Sequence, residues 1–353
     1  MIESHRLSMN QRIALAAGAV VLGLVAAWPI WRREAPAPHE SRPAIAAVHL
    51  GNAHAAAHPQ PSSHPALFSR LLNGELPKME SGQIRAFVER KGHSAASLLA
   101  AWHLGNDNTW LDEAASRYPD DPRVALAKLT TLDGKPEEAN EWIERLQRNA
   151  PENAMGWCYA ALQAAKENRQ EDAKEALADA AARRSLDSYG KESAYEMADA
   201  WRGAGYNSLD AETLGRVMVP LPECTLVMNL VRTVLANGPP DPDLIDDLMN
   251  LGTMVRGQGG NTPLVSQLVG SAAERKVLEQ MNTLELVPGS DLPVVERLAQ
   301  LDAEKALVRE TVQQATPLIP TLNESEFKQY LRRSSVEGEL KALQWVIHLK
   351  KAL

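Results

Sequence analysis

Two stretches of this chain, 34 residues apart, carry the same order of residue types. Asp133-Gly134-Lys135-Pro136-Glu137-Glu138-Ala139 recurs as Glu167-Asn168-Arg169-Gln170-Glu171-Asp172-Ala173, and Ile143 recurs as Leu177. A period of this length marks a helical repeat. In each copy an apolar stretch leads to a Gly or Asn able to take a left-handed turn, and a second amphipathic stretch follows. Each copy is therefore expected to be a helical hairpin. A hairpin of that size cannot bury its own apolar face, so neighbouring hairpins must stack on it as a solenoid.

The second copy places Trp157, Ala160, Ala161, Ala164, Ala173, Leu177 and Ala180 in register, with Pro151 closing the copy before it. The first keeps Leu126, Ala127, Ala139 and Ile143 but has Arg123 and Thr130 where aromatic residues are expected. These positions resemble the tetratricopeptide repeat (TPR), whose pattern runs Trp, Leu-Gly, Tyr, Ala, an aromatic or aliphatic residue and Pro. The resemblance covers about residues 119–184. Its small residues let the two helices of a pair approach closely.

Ala, Leu, Glu, Lys, Arg and Gln are plentiful and strand-favouring aromatics are few, so the 353 residues are expected to fold as an all-α protein. The formal charge is −8, and residues 1–34, with four Arg and two Glu, leave −10 on the remainder. A nucleic-acid-binding groove would be basic, so no nucleic-acid partner is expected. Cys158 and Cys224 are the only cysteines, which indicates no disulfide framework and suits two small hydrophobes in helices.

Residues 13–31, from Ile13 to Trp31, carry no charge. As a helix they would span roughly 28 Å, close to the hydrocarbon thickness of a bilayer. Val25-Ala26-Ala27 also suits a signal peptidase, so a cleaved signal remains an alternative to an anchor. Trp28 and Trp31 with Arg32 and Arg33 resemble an interfacial belt and favour the anchor within residues 1–33. Arginines flank both sides, and the signal-like layout favours a single-pass membrane protein with its large domain exported. Residues 34–65, rich in Ala, Pro and His, read as a disordered linker. His54 and His58 have chelating spacing but no further ligands, so no metal or other cofactor is expected.

The repeat domain is expected over 66–219 and a further C-terminal helical region over 220–353. Helices are predicted at 66–72, 82–90, 95–103 and 109–118 before the two repeats. A third, degraded pair follows at 191–204 and 209–219, displaced by an insertion of four residues around 185–190. Beyond Pro220 and Pro222 the pattern gives 223–236, 243–255, 263–281, 292–314 and 324–350. Asp241, Thr262 and Asn323 with Glu326 are the expected caps.

Chemistry is hard to find. Ser188-Tyr189-Gly190-Lys191 has the serine–lysine spacing of penicillin-binding enzymes but none of their companion motifs. Gly257-Gln258-Gly259-Gly260 lacks the strand and Gly-Lys-Ser/Thr ending of a phosphate loop. Asp241, Asp243, Asp246 and Asp247 suit a solvated helix face. The expected function is a membrane-tethered, non-catalytic scaffold for a protein or peptide. The alternative is a cell-envelope enzyme with an unrecognised site in the C-terminal helices. In tetratricopeptide proteins the first helix of each pair lines the groove. The resemblance assigns Val124, Lys128, Thr131 and Leu132 from one copy to it, and Met155, Cys158, Leu162 and Lys166 from the next. That set implies an apolar segment with an acidic contact as partner.

Overall fold

The computed structural model describes residues 74–351 apart from 133–134, 237–241 and 258–261, together with Leu67, Arg70 and Leu71. The expected anchor at 13–31, the linker at 34–65, most of the helix at 66–72, the Asp241 cap and the glycine run at 258–260 lie outside the described residues.

Among the described residues the chain is helical, with only isolated bridges, Asn153 to Ser185 and Leu286 to Pro293. In chain order the helices are α1 (Ser81–Arg90), α2 (Ala95–Gly105), α3 (Asn108–Arg117), α4 (Pro122–Leu129), α5 (Pro136–Asn149), α6 (Ala154–Lys166) and α7 (Gln170–Ala181). There follow α8 (Gly190–Gly203), α9 (Ser208–Val217), α10 (Pro222–Ala236), α11 (Pro242–Arg256), α12 (Leu264–Leu278) and α13 (Val294–Ala315). The chain closes with α14 (Glu324–Glu337) and α15 (Glu339–Lys351).

Local chemistry sets most boundaries. Asp121 accepts the Arg123 N–H at 2.9 Å ahead of Pro122, whose ring suits a first helical turn. Asn323 and Glu326 form the expected capping box, each accepting the other's backbone N–H, at 3.0 and 2.8 Å. Asn168 turns the chain between α6 and α7 in the left-handed region at φ 58°. Two expectations fail. The helix expected over 324–350 is broken at Gly338, where φ 93° and ψ 155° are open essentially to glycine alone. Thr262 does not cap α12; its hydroxyl instead donates to the Arg256 carbonyl at 2.6 Å.

Successive hairpins α2/α3, α4/α5 and α6/α7 pack side by side, an arrangement compatible with a helical-repeat solenoid. Asn153 ties the start of α6 to the segment that follows α7. Its amide donates to the Asp187 carbonyl at 2.7 Å and its Oδ1 accepts the Asp187 N–H at 3.0 Å, across 34 residues. The order then changes. Tyr189 takes the left-handed conformation at φ 57° and redirects the chain, so α8/α9 does not join the stack as its next pair. Instead α8 folds back onto α1 and α2, burying Met197 and Trp201 while Lys91 pairs with Asp199 at 2.7 Å. The place beside α6/α7 is taken by α10 on α6 and α11 on α7.

One large core runs from Leu67 to Leu301, and a second joins Leu209 and Leu264 to α13, α14 and α15. The stretch Ser208–Ala236 is apolar and long enough to cross a membrane. Here Leu214, Val217, Val227 and Leu230 are buried in protein, which accounts for the apolar run without a bilayer.

Candidate functional site

Helices α2, α4 and α6 are the first members of the three stacked pairs, and their row is largely covered by the chain itself. Helix α8 lies on α2, and α10 lies on α6. Between them Arg123 of α4 is held charged chiefly by its hydrogen bond to Asp121, with Glu192 and Glu196 of α8 adding to the effect. Of the eight groove residues, Val124, Leu132, Met155, Cys158 and Leu162 are buried. Lys128 is half-buried and pairs with Asp112 at 3.2 Å, while Thr131 and Lys166 are exposed. In this arrangement those five side chains are closed to an extended segment.

The junction under α10 is polar but sealed. Burial pushes the Cys158 thiol up to about 12 and raises that of Cys224, so both are inert free thiols. The Cys224 thiol lies 3.6 Å from the Ser266 hydroxyl. Beside it, burial raises the pKa of Glu223, against the smaller opposing effect of its own backbone N–H and the Ser188 and Ser266 hydroxyls. One Glu223 oxygen, Oε2, is buried without a hydrogen-bond partner. Ser188 therefore faces a carboxylate rather than Lys191, which is exposed. The serine–lysine spacing makes no nucleophile–base pair.

Two further buried carboxylates sit in the C-terminal half. Glu339 opens α15 and accepts the Leu264 N–H at 3.0 Å, and burial pushes its pKa up to about 8. Glu274 on α12 is answered by Arg256 at 2.8 Å and by Arg297 at 2.5 Å, which ties α11, α12 and α13 together. Glu223 is met by Ser266 and Glu339 by Leu264, both at the start of α12. Asp243 and Asp246 are exposed on α11. Among the described residues no group of three His, Cys, Asp or Glu is placed to hold a metal ion.

One opening among the described residues is shallow. A depression of about 340 Å³ lies between the end of α13 and α15, lined by Gln314, Leu318, Ile347, Lys350 and Lys351. Its floor is aliphatic and its rim cationic. Lys350 is engaged by Glu326 at 2.8 Å, whereas among the described residues Lys351 reaches the Gln314 side-chain oxygen at 3.5 Å. Sequence inspection did not single out these residues, because they come from the end of α13, the turn after it and α15, segments that meet only in the fold. No known protein family, curated protein or solved structure matches the chain, so its function has to be argued from this geometry.

Proposed function

We propose that this chain is a non-catalytic scaffold, tethered to a membrane through residues 13–31 with its helical part on the exported side, that holds a protein or peptide partner. In this reading α4/α5 and α6/α7 are two tetratricopeptide-like repeats, and α8 and α10 occupy the face such repeats leave open. The partner is held instead at the depression between α13 and α15. The observation that carries the reading is the character of that opening: shallow, aliphatic at Leu318 and Ile347, and bordered by Lys351 without a carboxylate partner among the described residues. Such a surface suits a short apolar segment with one acidic group and offers no enclosed space for chemistry.

The test is site-specific photocrosslinking of the full chain in native membranes. A photoreactive residue at Leu318 should trap one discrete polypeptide, and Lys351→Glu should abolish the adduct. A probe at Asp243, which is exposed on α11, should not trap it. Identical adducts from both positions would refute the assignment.

A further inference from the structure

The connection between α12 and α13 is not a slack loop. Glu285 and Val294 are joined by the Val294 N–H to the Glu285 carbonyl at 2.9 Å, and Val287 donates to the Leu292 carbonyl at 2.9 Å. These bonds place Leu286 opposite Pro293 in an antiparallel bridge. The turn at its tip uses Gly289 at φ 69°, and the Ser290 hydroxyl accepts the Leu292 N–H at 3.1 Å. Val287 and Val294 are buried in the core and pin the knuckle down.

Leu284 lies in the turn before the bridge, Leu286 in the bridge and Val295 in the first turn of α13, and the Val295 N–H donates to the Thr283 carbonyl at 3.1 Å, which holds the two ends together. Their side chains face water. Leu284 is 81% exposed, Leu286 59% and Val295 49%, half of all the large hydrophobic side chains left exposed among the described residues. Three such residues, two before the tip of the knuckle and one where α13 begins, offer an apolar patch that burial against a partner would stabilise.

The charges around the patch have one sign. Glu285, Asp291 and Glu296 are exposed and have no cationic partner among the described residues. No Lys or Arg occurs from 279 to 296. The nearest arginines are already committed: Arg297 binds Glu274 and Glu304, and Arg275 binds Glu279 and Asp302.

We infer that the knuckle at 283–295 is a second docking surface, and that its occupant is a basic amphipathic helix from another protein. The partner lays an apolar stripe over Leu284, Leu286 and Val295 and sets Lys or Arg against Glu285, Asp291 and Glu296. The chemistry is opposite to that of the α13–α15 depression, whose border is cationic, so the two faces select different segments. Preformed hydrogen bonds hold the knuckle in shape, which reduces the ordering that binding must impose.

The test uses the full chain and two fluorescent synthetic helical peptides with the same leucine stripe, one with a lysine polar face and the other with a glutamate polar face. The lysine peptide should bind, and raised salt should weaken it. The Leu284→Ser/Leu286→Ser pair, and separately Glu285→Gln/Asp291→Asn/Glu296→Gln, should each weaken it at least about tenfold with an unchanged melting temperature. Lys351→Glu, which tests the other surface, should leave this binding as it was. Equal binding of the glutamate peptide, or undiminished binding by both knuckle variants, would overturn the inference. So would a parent chain whose self-association is lost in the leucine variant, since the occupant would then be a second copy.

Discussion

Glu339 shows how a single carboxyl can set the pH response of a helical junction. It is 5% exposed, its only hydrogen-bonding help is the Leu264 N–H, and burial pushes its pKa up to about 8. An unfolded glutamate ionises near its ordinary value, so between that value and about 8 the folded state binds the extra proton. Stability from this group is therefore full in mild acid and falls as pH rises across that window. The Glu339→Gln variant keeps an acceptor for Leu264 without an ionisation. Its melting temperature is expected to decline less between pH 5 and pH 8 than that of the parent, measured by circular dichroism, and parallel curves would contradict the assignment. Such a residue cannot be found by inspecting sequence. Within the helix expected over 324–350, Glu339 reads as one more mid-helix glutamate, and only the fold buries it against Leu264 of α12.

At the scale of elements, sequence pattern located nearly every helix, because apolar spacing and caps act over a few residues. The capping box at Asn323 and Glu326 and the Asn168 turn are examples. Gly338 was missed since the amphipathic pattern continues through it while the backbone does not. The contact between α11 and α12 rests on two glycines. A Cβ added to Gly270 would stand 2.5 Å from the Gly252 carbonyl oxygen, and one added to Gly252 would stand 3.2 Å from that of Gly270. Gly270→Ala is thus expected to destabilise by about 1–3 kcal/mol, because one backbone must move away from the other. Gly82→Ala on α1 meets nothing within 4 Å and should be neutral or stabilising by up to about 1 kcal/mol. Chemical denaturation of the two variants measures the contrast, and equal effects would mean that the crossing is looser than the backbone approach indicates.

At the scale of the whole molecule, the proposed tether and the helical part make separable demands. If residues 13–31 anchor the protein, alkaline carbonate extraction leaves the full-length chain in the membrane pellet. Recovery of a soluble form beginning near Trp28 would establish a cleaved signal instead. Sequence by itself determined the all-helical class, the period of 34 residues and the start of most helices, because period and caps are properties of neighbours along the chain. Tertiary structure alone decided the order of packing. The small apolar faces of α6 and α7 can be satisfied by any hairpin of suitable shape, and α10/α11 holds that place while α8 packs on α1 and α2. The two candidate surfaces were hidden for the same reason. Lys351 and Leu318 meet only after the chain reverses at Gly338, and Leu284 and Val295 are brought together only by the hydrogen bonds that close the knuckle at 283–295. Periodicity records which residues turn inward, but many partners satisfy an inward face equally well, and the choice among them is made by long-range contacts that no local pattern encodes.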